Sequence, residues 1–209
     1  MLIGDRKFDT ENGVYVMGIL NVTPDSFSDG GLWTERNAAL RQAGRMAAEG
    51  AAIIDIGGES TRPGHTPVSA EDEAARVLPI VEAVKRETGL PVSIDTYKAE
   101  VARAALEAGA DMVNDIWGLR RDGGEMAALI AGAGAACCLM HNRERAEYAD
   151  FMADMLSDLR ETLAIADRAG VARSSIVLDP GIGFGKTYEQ NLIACLLYTS
   201  PSPRDGLLS

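Results

Sequence analysis

The sequence predicts an α/β protein, a (β/α)8 barrel of which this chain carries about six of the eight βα units. Three observations lead there. Short apolar segments alternate strictly with longer helical ones, as in parallel strands joined by crossover helices. Almost every apolar segment ends in a short polar signature, as expected where the carboxyl ends of barrel strands carry the chemistry. The first βα turn lacks the G-x-G-x-x-G phosphate fingerprint, which argues against the alternative, a doubly wound open sheet.

Val14 to Leu20 is apolar and β-rich, and it ends at Asn21 in a polar loop that runs to Gly31. Asn37 to Glu49 reads as a helix with Leu40, Ala43, Met46 and Ala47 on one face. The second strand, Ala52 to Ile56, opens into Asp-Ile-Gly-Gly-Glu-Ser-Thr-Arg-Pro-Gly, from Asp55 to Gly64. Gly57 and Gly58 there permit a ligand or a second backbone to approach closely. Ser69, with Asp72 three residues on, caps the next helix, whose inner face is Ala74, Val77, Val81 and Val84. Pro79 is expected to interrupt and kink it.

Three shorter strands follow. Pro91 to Ile94 ends in Asp95-Thr96, Asp111 to Val113 in Asn114-Asp115, and Ala135 to Leu139 in Met140-His141-Asn142. Helices fill the intervals, roughly Lys98 to Ala108, Gly124 to Ala133 and Asp150 to Ala169. A sixth strand, Ser175 to Leu178, ends in Asp179-Pro180-Gly181-Ile182-Gly183-Phe184-Gly185-Lys186. The text then changes character. From Cys195 it resembles a translated sequencing-library adapter, so the expected division is a barrel over 1–194 and a non-native tail over 195–209.

Composition sets outer limits. With 209 residues, 46% hydrophobic and 24% charged, the chain can bury one substantial core. A net charge of -11 argues against nucleic acid or an anionic membrane as the main partner, since both select basic faces. No signal peptide or membrane span is legible, which makes the cytoplasm the expected location. Adjacent Cys137 and Cys138 in an apolar run read as buried, reduced thiols.

The blocks Met17 to Gly31, Asp55 to Gly64, Ser93 to Thr96, Val113 to Asp115, Met140-His141 and Asp179 to Lys186 together resemble the dihydropteroate synthase family. The resemblance implies a (β/α)8 barrel that joins 6-hydroxymethyl-7,8-dihydropterin diphosphate to 4-aminobenzoate, giving 7,8-dihydropteroate and pyrophosphate for folate biosynthesis. It implies Mg2+ as cofactor with Asn21 as the metal contact, small-molecule partners only, and a homodimer for the intact enzyme. Carried over by motif, Asp95, Asn114 and Asp179 hold the pterin, and Met140 joins the substrate-binding set. Thr61 contacts the diphosphate or the arylamine region, Arg62 supports the closing loops, and Pro63 with Phe184 lines the aminobenzoate slot. Thr61, Arg62 and Asp95 form the expected catalytic set. The role of His141 stays open between pocket wall and site residue.

The residue types support this chemistry independently. A carboxylate fits the 2-amino and ring-nitrogen donors of a pterin, and Mg2+ stabilises a leaving diphosphate with few protein ligands. The family's lysine, arginine and histidine from strands seven and eight have no counterpart here, so this chain on its own is expected to be inactive. Two rival readings are a pterin-binding methyltransferase domain and a non-catalytic pterin-binding module.

Overall fold

The computed structural model describes residues 1–22, 31–60 and 67–199, except the side chains of residues 31–35 and 197–199. It opens with an antiparallel hairpin, β1 (Leu2–Ile3) and β2 (Arg6–Lys7). Six strands and the helices between them follow: β3 (Val16–Asn21), α1 (Gly31–Ala48), β4 (Ala51–Gly57), α2 (Ala70–Thr88), β5 (Val92–Asp95) and α3 (Ala99–Glu107). The second half is β6 (Met112–Asp115), α4 (Glu125–Ala133), β7 (Ala136–Met140), α5 (Phe151–Ala169), β8 (Ile176–Asp179) and α6 (Tyr188–Thr199).

The six strands form one sheet in the order β3-β4-β5-β6-β7-β8, every neighbouring pair parallel. A doubly wound sheet reverses its strand order at a switch point, and this one does not. Consecutive order with helices α1 to α5 packed side by side is barrel topology over six strands. Edges β3 and β8 are not hydrogen-bonded to each other.

Several expected boundaries move. The first strand begins at Val16, because Val14 is 96% exposed and has nothing to pack against. Helix α1 already begins at Gly31, upstream of its apolar periodicity. The expected break at Pro79 does not occur, and α2 runs through it. Pro79 and Ala75, whose carbonyl loses its usual partner, are both exposed, so that carbonyl is open to solvent. The cap at Ser69 forms as the sequence predicts: Asp72 N donates to Ser69 Oγ at 3.1 Å, and Ser69 Oγ donates to Asp72 Oδ2 at 2.7 Å. The junction at Cys195 falls inside α6, and residues 200–209 lie outside the described ones.

Strand alternation divides the apolar residues between two cores. One face of the sheet packs Leu20, Ile54, Ile56, Ile94, Val113 and Leu139 against the helices. The other face, the barrel interior, packs Ile53, Met112, Ala136 and Cys138 onto Ile3 and Phe8 of the hairpin segment. The hairpin thus plugs the amino end of the interior. Cys137 and Cys138, both free and buried, fall one in each core.

Candidate functional site

The interior face changes character along each strand. In β4 the residue after buried Ile53 on that face is Asp55, and in β6 Met112 gives way to Asn114. In register, Asn21 lies opposite Gly57, Gly57 opposite Asp95, and Asp95 opposite Asn114. Four neighbouring strands therefore bring their carboxyl-terminal interior positions into one row.

Gly57 shows what that row encloses. A Cβ there would lie 3.4 Å from both Asn21 Oδ1 and Asp95 Oδ2, so these two oxygens converge over the glycine. Asn114 Nδ2 donates to Asp55 Oδ2 at 3.1 Å. Asp55 is 3% exposed, and its Oδ1 has no partner among the described residues. Burial pushes its pKa up, and Ser93 and Asn114 pull it partly back. Ser93 faces Asp55 in register, although its hydroxyl also lacks an aligned hydrogen bond.

Asp95 is pushed further, well above the usual carboxylate range, first by burial and then by the charges of Asp55, Glu73, Asp115 and Glu59. No side chain among the described residues hydrogen-bonds its carboxyl group. Asp95 is half-buried, and an acid partly withdrawn from water with no partner among the described residues is the kind of group that clusters at functional sites.

Asp179 ends β8 opposite Met140 and accepts a hydrogen bond from Gly181 N at 2.8 Å. Alternation puts it on the same face as Val177, which pairs with Cys138, which in turn pairs with Asn114. Burial pushes the Cys138 thiol up, and the charges of Asp179, Asp55, Cys137 and Asp95 push it the same way. The three residues singled out for a pterin, Asp95, Asn114 and Asp179, thus share one face of the sheet. Met140, 4% exposed, pairs with Asp179 in register. Phe184, half-buried, sits in the loop beyond β8, where Phe184 N donates to Gly181 O at 3.1 Å. Thr61, Arg62 and Pro63 lie outside the described residues, as do residues 23–30.

Other polar residues prove structural. Asp115 accepts from Trp117 N at 2.8 Å and Leu119 N at 2.7 Å, bracing a turn in which buried Leu119 takes a left-handed φ of 66°. His141 is packed like core, with its Nδ1 lacking a partner among the described residues. It is 1% exposed, and its Nε2 meets Asp158 Oδ2 at 3.0 Å. Burial, then the nearby Lys186 charge, lowers its pKa to about 4 against the pull of Asp158, so it is neutral at pH 7. Arg143 Nε also donates to Asp158, at 2.7 Å.

Sequence reading left out a second cluster, on Lys98. Its ammonium pairs with Glu59, bonds Glu73 Oε2 at 2.5 Å and donates to Val68 O at 2.8 Å. Tyr97 OH adds a bond to Glu59 Oε1 at 3.0 Å. Lys98 therefore fastens β4's end to α2 and to Val68, on either side of residues 61–66. Asp55 was legible as the interior neighbour of Gly57 by alternation, whereas no local signal marks Asp158 as the partner of His141.

Among the described residues, no group of three or more His, Cys, Asp or Glu is placed to hold a metal ion. No described helix is long and apolar enough to cross a membrane.

Residues 17–196 match the family model described as pterin binding enzyme. The dihydropteroate synthase of Clostridium beijerinckii is 55% identical over 194 residues, 93% of this chain and 72% of that protein. The Bacillus subtilis synthase is also 55% identical, over 85% of this chain and 62% of its own length. Among solved structures, the Clostridium difficile dihydropteroate synthase with pteroic acid superposes with a TM-score of 0.86 at 48% identity, over 90% of this chain and 71% of that one. The Yersinia pestis synthase with a sulfonamide drug complex gives a TM-score of 0.85 at 39% identity, over 95% and 74%.

Proposed function

The chain belongs to the dihydropteroate synthase family of pterin-binding enzymes, and we propose that the interior face at the carboxyl ends of its strands is the pterin site of that synthase. The whole protein then condenses 6-hydroxymethyl-7,8-dihydropterin diphosphate with 4-aminobenzoate. The carrying observation is the row of Asn21, Gly57, Asp95 and Asn114, with two oxygens converging over a glycine. Asp95, with no side-chain partner among the described residues, is suited to take the pterin's 2-amino and ring-nitrogen donors. Asp55 fixes the Asn114 amide by accepting from its Nδ2, and Asp179 closes the far side.

Asn21 Oδ1 is a neutral oxygen facing the Gly57 position, a donor of the kind a hard cation such as Mg2+ takes while keeping most of its waters. When bound, Mg2+ would offset the charge of the departing diphosphate. We assign Asn21 to hold it, and Thr61 and Arg62 to the diphosphate and the loops around it. The bond from the pterin methylene to the diphosphate oxygen breaks, a carbon–nitrogen bond to the arylamine forms, and the arylamine loses one proton. No protein nucleophile enters that balance. Phe184 and Pro63 would stack on the aminobenzoate ring. We infer a cytoplasmic protein.

Calorimetric titration of the pterin diphosphate into the chain, with Mg2+ present, tests the reading. Saturable binding that Asp95→Asn removes is expected. A folded chain that takes up no pterin would refute it. For the whole protein, release of pyrophosphate dependent on both substrates is the matching assay.

A further inference from the structure

The loop between β8 and α6 carries Phe184 and three glycines with left-handed φ: Gly181 at 67°, Gly183 at 89° and Gly185 at 56°. Such a segment has little intrinsic preference for one shape. It is nevertheless pressed onto the end of β7. A Cβ on Gly181 would lie 2.0 Å from His141 O, and one on Gly185 would lie 2.3 Å from Arg143 O. Contacts that close need something to maintain them.

Lys186 is placed to do so. Its Nζ donates to Gly181 O at 2.8 Å, to Phe184 O at 2.9 Å and to His141 O at 3.3 Å. An ammonium has three donors, and all three are used on carbonyls. Two of those carbonyls belong to the loop and the third to the segment beneath it. Tyr148 OH adds a bond to Gly185 O at 2.7 Å. Burial lowers the Lys186 pKa to about 8, against the opposing charges of Asp179 and Asp158, so the ammonium is still charged at pH 7.

We propose that Lys186 is a positioning residue whose ammonium staples the Phe184 loop to the end of β7, and so sets the arylamine slot without touching either substrate. This rests on the reading of Phe184 as a wall of that slot. It predicts a split: loss of Lys186 loosens the loop and weakens arylamine binding, while pterin binding persists.

Hydrogen exchange on the full chain, wild type against Lys186→Met, measures the staple directly. The Phe184 amide, which donates to Gly181 O, is expected to exchange about tenfold faster, as for the loss of one charge-assisted hydrogen bond. Exchange in β5 should be unchanged. Titration then reads the consequence. Affinity for 4-aminobenzoate, with Mg2+ and pyrophosphate present and the pterin site filled by 6-hydroxymethylpterin, should fall about tenfold with pterin affinity within twofold. Lys186→Arg, which keeps the charge and several donors, should recover part of both losses. Should the methionine variant fail to fold, Lys186→Gln carries the same expectations. Unchanged Phe184 exchange overturns the staple. Faster exchange with unchanged arylamine affinity overturns its role in the slot. A wild-type chain that binds no pterin overturns the proposed function instead, and the exchange result still decides the staple.

Discussion

The two ends of the barrel interior lie on one face of one sheet, in β4 and β6 two residues apart on the same strand, and they do opposite things. At the amino end Ile53, Met112 and Ala136 are packed under Ile3 and Phe8. At the carboxyl end Asp55 and Asp95 have few partners among the described residues: one orphaned oxygen on Asp55, no side-chain hydrogen bond to the Asp95 carboxyl, and a raised pKa on both acids. The amino end gains stability from buried area. The carboxyl end gives some back, which is the expected cost of holding polar groups ready for a ligand.

That contrast can be broken most forcefully at the plug. Phe8→Ala should destabilise the chain by about 3–5 kcal/mol in denaturant titration, the range for a buried aromatic, because Phe8 is 2% exposed. An effect below about 1 kcal/mol would mean the hairpin does not close the interior.

The carboxyl end should answer in the opposite sense. Asp95→Asn is expected to weaken pterin binding by about 1.5–3 kcal/mol, the range for a charge-assisted hydrogen bond. Its stability should be equal or greater. The sign follows from linkage: a carboxyl group whose folded pKa is raised binds more protons folded than unfolded, so its contribution declines as pH rises through that folded value. The stability gained by Asp95→Asn should therefore grow with pH. A variant less stable than wild type at pH 8 would remove the basis for calling this acid a strained site residue.

His141 tests the boundary between the two behaviours, since it sits at a strand's carboxyl end yet is packed like core. Its folded pKa, about 4, is below the ordinary value of 6.5, so the unfolded chain binds more protons between those values. Stability should fall as pH drops from 6.5 toward 4, by at most about 1.4 kcal/mol per pH unit from this group. His141→Gln should flatten that part of the wild-type profile. An unchanged slope would show that the ring is not held neutral. The smallest effect is expected at the α2 cap, where Ser69→Ala should cost about 1 kcal/mol and leave pterin affinity intact.

The elements that local chemistry specifies were legible. The Ser69 cap, the strict βα alternation and the polar strand ends each depend on residues a few positions apart. The β1–β2 hairpin was not, because strands of two residues show no periodicity; only Ile3 and Phe8 meeting Ile53 and Met112 across the fold gives them a role. Pro79 misled for a related reason. Its effect depends on which face of α2 it occupies, and that face is solvent.

By itself, the sequence determined the class of fold, the family, and the identity of Asp95, Asn114 and Asp179 as candidates, since motif and period are local properties of a chain. Only the tertiary structure decided that these three share one face, that Asn21 Oδ1 and Asp95 Oδ2 converge over Gly57, and that His141 and Lys186 serve the framework. Those outcomes depend on strand register and on burial. Both arise from packing between residues far apart in the chain, which fixes where a charge loses its water and which neighbour replaces it.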